Sequence, residues 1–251
     1  MTAARGPLLY DDLGRSYHRT RRADPRLASR IQAALGPSHR ILDIGAGTGS
    51  YEPPGRAVIA VEPSSVMIAQ RAAAAAPVVR AIAEQLPFGN RRFDAAMAIL
   101  TAHHWTDVDC GLTEMQRVAS RAVVLVASAG TSQMWLTRDY FPVMDRARRP
   151  GIQPDYIAGR LRGEVRIETL SLPADCQDGF GEAFWARPEA YLDPRIRAGM
   201  SAFGLLGPAE IDLGVRRLRA DLASGAWDER HGELRRLPEF DCGHRLIIAD
   251  A

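Results

Sequence analysis

The sequence predicts an α/β fold in which a mostly parallel sheet is covered by an α-helical lid. Predicted strands alternate with helical segments through the first half of the chain, from residues 41–44 to residues 122–126. Such alternation implies parallel strands joined by right-handed crossovers. A glycine-rich loop follows the first strand directly, as in open sheets that bind nucleotide-like ligands. In the second half, residues 174–236 have helical character and separate two strands, at 165–170 and 244–249.

The elements between these landmarks follow from apolar runs and capping residues. Residues 57–61, 78–83 and 93–100 are the second, third and fourth predicted strands. The nearly unbroken apolar content of the fourth is typical of a strand buried on both faces. Ser64 and Ser65 provide a cap for a helix that we expect to run to residue 75.

These patterns divide the chain into four parts. We expect N-terminal lid helices over residues 1–36, a ligand-binding core over 37–173, a helical lid insertion over 174–236, and a final core strand within 237–251. The insertion lies between two strands that we expect to pair, so it forms a lid on the sheet and not an independent domain.

Composition and charge exclude several classes of protein. The chain has 251 residues, of which 46% are hydrophobic and 25% charged, as in an ordinary globular protein. All 32 basic residues are arginine, which excludes a Schiff-base lysine and a P-loop lysine. Because the net charge is only +2 and the charges are interspersed, we expect no nucleic-acid partner.

Cysteine usage and hydropathy indicate the compartment. Cys110, Cys176 and Cys242 are widely spaced and form no CxxC pair, which argues against a disulfide framework and a zinc site. We therefore expect no metal and a cytoplasmic location. No apolar run approaches membrane-spanning length and no signal peptide is recognisable, so we expect no membrane partner. Oligomeric state does not follow from the sequence.

The loop Ile41–Gly49 admits three interpretations. A dinucleotide fingerprint requires G-x-G-x-x-G, but the third glycine comes one position early and Ser50 occupies its place. Pro53 and Pro54 also disfavour the long helix on which a pyrophosphate would rest. A structural turn without a ligand remains open at this point.

A second acidic residue favours a nucleoside ligand. Glu62 ends the second strand, 19 residues after Asp43, where a carboxylate can accept hydrogen bonds from both hydroxyls of a ribose. Without a pyrophosphate site, the ligand is better interpreted as a nucleoside that carries a short zwitterionic tail. Pro63 and Met67 are candidates for one face of its base, and residues 86–88 for the other.

At this point the sequence resembles the class I S-adenosylmethionine-dependent methyltransferases of the small-molecule, ubiquinone-biosynthesis-like type. The matching segments occur in the family's order and spacing, at residues 41–49, 61–67, 83–88, 93–95 and 103–105. The resemblance implies a Rossmann-like sheet of strand order 3-2-1-4-5-7-6. It also implies S-adenosylmethionine as cofactor, S-adenosylhomocysteine as product and a small-molecule methyl acceptor as partner.

The resemblance also assigns cofactor contacts. The methionine part is expected against Asp43, Gly45, Ala46, Gly47 and Gly49. Glu62 is expected to bind the ribose, Pro63 and Met67 to flank adenine, and Ala83 and Glu84 to meet its edge. Leu100 begins the wall between cofactor and acceptor, and Tyr17 and Arg21 match a pair that closes over the methionine carboxylate.

The chain departs from the family pattern at two places. Ile82 stands where the family usually has an acid for the adenine amino group. The helix after the glycine loop is nearly missing, which makes the cofactor's tail more dependent on the N-terminal helices.

Candidate catalytic and acceptor-binding residues follow the fourth strand and occupy the lid. His103 and His104 are candidate general bases for an oxygen, nitrogen or carbon nucleophile, with His104 preferred; a purely structural role for both is the alternative. Residues predicted to shape the acceptor pocket are Trp105, Asp178, Phe180, Trp185 and Tyr191. Alternatively, the aromatic residues form the lid's own core and Asp178 belongs to a turn at Gly179.

The predicted reaction is methyl transfer by in-line displacement, in a site that excludes water. Two alternatives stay open. One keeps the cofactor for a reaction other than methyl transfer, and the other is methylation of RNA or protein.

Overall fold

A computed structural model describes residues 21–127, 134–146 and 152–251 of the chain. Within these ranges a seven-stranded sheet has the order β3-β2-β1-β4-β5-β9-β6. Its strands are β1 Arg40–Ile44, β2 Ala57–Val61, β3 Val78–Val79, β4 Phe93–Ile99, β5 Ala119–Ala127, β6 Glu164–Thr169 and β9 His244–Asp250. Strands β1 to β5 pair in parallel, whereas β9 is antiparallel to both β5 and β6. Since β9 is the seventh strand of this sheet in chain order, the expected order 3-2-1-4-5-7-6 is confirmed.

The helices and the remaining strands surround this sheet. The α-helices are α1 Pro25–Leu35, α2 Ser65–Ala69, α3 Val108–Val118, α4 Val143–Arg146, α5 Pro154–Arg160, α6 Pro194–Arg197, α7 Pro208–Ser224 and α8 Ala226–His231. A π-helical turn spans Leu136–Tyr140, and a two-stranded ribbon joins β7 Leu172–Pro173 to β8 Glu239–Phe240. In the described parts of the chain, no helix combines the length and apolar character needed to cross a membrane.

Both faces of the sheet are buried, because successive residues of its central strands enter two different cores. In β1, Ile41 joins one cluster while Leu42 and Ile44 join the other. The first cluster contains α1 and the aromatic residues between β7 and β8, and the second contains α3 and α5. The helices α6 to α8 therefore share a core with the sheet itself.

Two elements are shorter than the sequence predicts. Strand β3 stops at Val79, because the neighbouring strand β2 ends at Val61, the residue with which Val79 pairs. Helix α2 ends at Ala69 instead of residue 75, and the Arg71 side chain, just beyond its end, donates to the carbonyl of Ala76.

The segment between β1 and β2 consists of turns and contains no helix, as expected from its two prolines. The predicted N-terminal helix before residue 21 lies outside the described residues.

Candidate active site

A cavity that opens to solvent lies at the carboxyl ends of β1, β2 and β4. This is the position at which open α/β sheets bind ligands. The predicted cofactor residues that line it are Arg21, Asp43, Gly45, Ala46, Gly47, Glu62, Pro63, Met67, Ala83, Glu84 and Leu100. Tyr17 lies outside the described residues, and Gly49 is not in the wall.

The glycine loop forms a tight floor for the cavity. Gly45, Gly47 and Gly49 all have positive φ angles, of 70°, 55° and 88°. The amides of Gly45 and Ala46 both donate to the carbonyl of Val61, at 2.8 and 3.0 Å. A Cβ on Gly45 would lie 2.0 Å from the Thr101 hydroxyl oxygen, so only glycine fits there.

A buried ion pair holds this loop where a helix is missing. Glu52 and Arg71 form a salt bridge with side chains that are 11% and 5% exposed. Arg71 also donates to the carbonyl of Gly47 at 3.1 Å, and Glu52 accepts from the amide of Ala76 at 2.8 Å. The loop is thereby tied to the segment after α2, a link that no local sequence pattern indicated.

Asp43 is a buried carboxyl group in the cavity wall. Its residue surface is 4% exposed, and it accepts no hydrogen bond from the residues that the structure describes. Burial raises its pKa to about 8, Glu52 and Glu62 add to the rise, and Arg71 opposes it. A buried carboxyl of this kind fits a cationic ligand group such as the ammonium of an amino-acid tail.

Glu62, the second buried acid of the wall, has protein partners. One carboxylate oxygen accepts from the amide of Gly47 at 2.8 Å, and the other from the amide of Ser64 at 2.9 Å. These two bonds fix the side chain between the glycine loop and the residue before α2.

The far end of the cavity is more apolar. Met67 is 3% exposed, and Pro63 and Ala83 lie beside it in the wall. Ile82 also lines the cavity and is 38% exposed, at the position where an acid was expected from the family pattern.

Glu84 has a structural task besides its place in the wall. Its carboxylate accepts from the amides of Thr106 and Asp107, at 2.6 and 3.1 Å, just before α3. These two bonds hold the start of α3 and restrict what Glu84 offers to an adenine edge.

Only one of the two candidate histidines lines the cavity. His104 and Trp105 line it, whereas His103 does not. The rings of His103 and His104 are 3.8 Å apart between centroids. Burial lowers the pKa of His104 well below its ordinary value, and the charges of His103 and Arg21 act in the same direction. Of the two candidates, His104 is therefore the one that lines the cavity.

Leu100 has an unusual backbone at the same edge. Its φ of 53° lies in the left-handed region, which is strained for a leucine. Its amide donates to the carbonyl of Leu125 at 2.9 Å, so β5 fixes the strained residue.

Arg21 reaches the cavity from the N-terminal segment and pairs with the lid. Its Nε donates to Asp178 at 2.6 Å, and the Tyr51 hydroxyl donates to the same carboxylate at 2.9 Å. Asp178 is completely buried and does not line the cavity. The prediction that it binds the acceptor is therefore not supported by its position, because its oxygens are taken by protein donors.

The lid aromatics also do not line the cavity. The Trp185 indole donates to the carbonyl of Leu172 at 3.1 Å, and the Tyr191 hydroxyl donates to that of Gly181 at 2.7 Å. Both are completely buried, and Phe180 packs 5.8 Å from the Arg21 guanidinium. All three belong to the core that the lid shares with the sheet; an acceptor pocket shaped by the lid stays a prediction.

Several wall residues were missed by sequence reasoning. These are Ile44, Thr48, Ser50, Tyr51, Val61, Ala81, Ile82, Ile99 and Thr101. Ser50, Ile82 and Thr101 are next in sequence to residues that were predicted to bind the cofactor, so their position along the chain would have indicated them. Tyr51 gave no such signal, because its role depends on a partner 127 positions away.

Known proteins resemble both the cofactor half and the whole chain. The family model described as a methyltransferase domain matches residues 42–127. A demethylmenaquinone methyltransferase of Mycolicibacterium vanbaalenii is 34% identical over 119 residues, which are 45% of this chain and 52% of the relative. The chain thus spans about half the length of the curated relatives it matches.

Solved structures extend the likeness to the lid. One is described as a "putative methyltransferase from antibiotic biosynthesis pathway" of Anabaena variabilis. It is 33% identical, with a TM-score of 0.84, over 92% of this chain and 99% of that one. A SAM-dependent methyltransferase of Thermotoga maritima shares the fold at 16% identity, with a TM-score of 0.55 over 97% of this chain and 98% of its own. The chain belongs to the class I S-adenosylmethionine-dependent methyltransferases.

Proposed function

We propose that this chain transfers the methyl group of S-adenosylmethionine to a small-molecule acceptor that lies beside His104. The observation that carries the proposal is the pair of buried acids in one cavity. Asp43 has no donor from the described residues, whereas Glu62 is held by two backbone amides. One acid suits the ammonium of an amino-acid tail and the other a ribose diol.

The remaining wall residues complete this set of contacts. The guanidinium of Arg21 suits the tail's carboxylate, because it presents planar donors to a planar acceptor. Pro63, Met67 and Ala83 offer apolar surface to a purine. Ile82 adds to that surface but offers no hydrogen bond to an exocyclic amine.

Bound S-adenosylmethionine supplies a methyl group on a sulfonium, and loss of that group leaves S-adenosylhomocysteine. The protein's own contribution is positioning and the exclusion of water. Leu100 and Trp105 form apolar wall at the edge where His104 stands. With its lowered pKa, His104 is neutral at pH 7, and it can take a proton from an acceptor's hydroxyl, amine or acidic carbon.

The acceptor is proposed only as a class. The curated relatives are demethylmenaquinone methyltransferases, but the match covers 45% of this chain. The Anabaena protein matches over nearly its whole length and is linked by its description to antibiotic biosynthesis. Both associations favour a metabolite over a macromolecule as acceptor.

A labelling experiment tests the proposal. The purified protein is incubated with methyl-labelled S-adenosylmethionine and separately with the small-molecule, RNA and protein fractions of a cell extract. We expect label in the small-molecule fraction together with stoichiometric S-adenosylhomocysteine. Label in RNA or protein would contradict the acceptor class. Cofactor binding without S-adenosylhomocysteine from any fraction would contradict methyl transfer.

A further inference from the structure

Three side chains from distant parts of the chain meet at the rim of the cavity. Arg21 belongs to the N-terminal segment, Tyr51 follows the glycine loop, and Asp178 belongs to the lid. Arg21 and Tyr51 line the cavity, and Asp178 is buried behind them.

The carboxylate of Asp178 is fully occupied by protein donors. One oxygen accepts from Arg21 Nε at 2.6 Å and from the Gly179 amide at 2.7 Å. The other accepts from Arg21 Nη2 at 3.2 Å and from the Tyr51 hydroxyl at 2.9 Å. Four donors satisfy the acceptor positions of a carboxylate, so Asp178 is not offered to a ligand. Its effect on a ligand must pass through Arg21 or Tyr51.

Asp178 also fixes the plane of the Arg21 guanidinium. The bidentate pair engages Nε and Nη2 side-on, which defines the orientation of the planar group. The Arg21 side chain is only 10% exposed, and the Phe180 ring lies 5.8 Å from its Cζ. An arginine held in this way has lost most of its side-chain freedom before any ligand binds.

The charges of the rim suit a zwitterionic ligand tail. The Arg21–Asp178 pair has no net charge. Its positive end is the Arg21 guanidinium, and a ligand carboxylate beside Arg21 would face that end. Asp43, which suits an ammonium group, lines the same cavity. The two ends of an amino-acid tail thus have separate partners.

We propose that Asp178 is a positioning residue: it orients Arg21 to bind the carboxylate of the cofactor's amino-acid tail. This inference rests on the proposed function. It means that a lid residue that never touches the cofactor sets the affinity for one end of it. Lid and cofactor tail are thereby coupled through one ion pair.

The test compares two ligands that differ in the tail. S-adenosylhomocysteine carries the amino-acid tail, and 5′-methylthioadenosine lacks it. Calorimetry measures the dissociation constants of both for the full chain and for Asp178→Asn. We expect Asp178→Asn to raise the dissociation constant for S-adenosylhomocysteine at least tenfold. The dissociation constant for 5′-methylthioadenosine should change less than twofold.

Asp24→Asn is the matched control. Asp24 is also completely buried and joins the N-terminal segment to the same part of the lid, since it accepts from Arg26 and from the Gln177 amide. It does not line the cavity. We expect this variant to lower the melting temperature and leave the ratio of the two constants unchanged. In an Arg21→Ala background, Asp178→Asn should have no further effect on the ratio.

The outcomes separate the inference from the proposed function. If the wild type binds neither ligand, the proposed function fails and the inference fails with it. If the wild type binds both, and folded Asp178→Asn keeps the ratio or weakens both ligands equally, only the positioning role is overturned. Should Asp178→Asn not fold, Asp178→Glu decides, because it keeps the charge but moves the carboxylate away from the position that orients Arg21. A threefold or greater loss of S-adenosylhomocysteine affinity alone supports the inference, and an unchanged ratio overturns it.

Discussion

Replacing Asp43 by asparagine should stabilise the ligand-free protein and abolish binding of the cofactor. Asp43 is a buried carboxyl whose pKa is raised from 3.8 to about 8. In the unfolded chain it is ionised at neutral pH, whereas in the folded protein it is mostly protonated. Folding at pH 7 therefore includes the cost of protonating this group, which asparagine does not incur.

The magnitude follows from the two pKa values. At pH 7 and 25 °C, protonation of a group with an unfolded pKa of 3.8 and a folded pKa of about 8 costs about 4 kcal/mol. The buried amide of asparagine brings an unsatisfied donor of its own, which costs about 1–3 kcal/mol. We expect a net rise of about 1–3 kcal/mol in the free energy of unfolding at pH 7.

The pH dependence has a definite sign. The folded pKa of Asp43 lies above its unfolded value, so the cost is absent below pH 3.8 and grows as the pH rises toward 8. At pH 5 the same arithmetic leaves only about 2 kcal/mol. The advantage of Asp43→Asn should therefore nearly vanish at pH 5 and be plain at pH 7.

Urea unfolding followed by circular dichroism measures this difference at both pH values. Glu62→Gln is the control, because both oxygens of Glu62 accept from backbone amides and an amide nitrogen would meet one of these donors. That variant should lose about 1–3 kcal/mol. An Asp43→Asn protein that is less stable than the wild type at pH 7, or equally stabilised at both pH values, would refute the account of this acid. Retained affinity for S-adenosylhomocysteine would refute its role in binding.

Three further substitutions test other parts of the site. His104→Gln should lower kcat by a factor of about 10² or more and leave the affinity for S-adenosylhomocysteine unchanged. Because the pKa of His104 is lowered, the wild-type enzyme should keep its rate at pH values below 6.5. Full activity of the variant would exclude His104 as the base. Gly45→Ala should abolish cofactor binding in calorimetry, since its Cβ would clash with Thr101. Gly55→Ala is the control and should bind normally, because Gly55 has a similar φ and open space around it. Equal affinity of the two variants would contradict the claim that the glycine loop is tightly packed at Gly45. Ile82→Asp should raise the affinity for S-adenosylhomocysteine about fivefold, because it adds a hydrogen-bond acceptor for the adenine amine that contributes about 1 kcal/mol. Unchanged affinity would mean that adenine does not lie beside residue 82.

The sequence predicted the central strands well, because β2, β4, β5 and β9 are nearly continuous apolar runs. Strand β3 and helix α2 were wrong in length for a reason outside their own residues. Val79 is the last residue of β3 that finds a partner on β2, and just beyond α2 the Arg71 side chain donates to the carbonyl of Gly47. Local patterns carry no information about where a neighbour stops.

The site divides in the same way. The glycines and the two acids follow from spacing along adjacent parallel strands, so their convergence could be inferred. The rim group could not, since Arg21 and Asp178 are 157 positions apart. Trp185 and Tyr191 are the opposite case, because their aromatic character suggested a ligand pocket. Both side chains are buried in the core, and their polar atoms donate to backbone carbonyls.

We propose that this cavity binds the nucleoside of S-adenosylmethionine through Glu62. The decisive measurement is calorimetric titration of S-adenosylmethionine into the wild type and into Glu62→Ala, with circular dichroism to show that the variant is folded. We expect one site per chain in the wild type and no detectable binding in the variant. A folded Glu62→Ala protein that binds with wild-type affinity would contradict it.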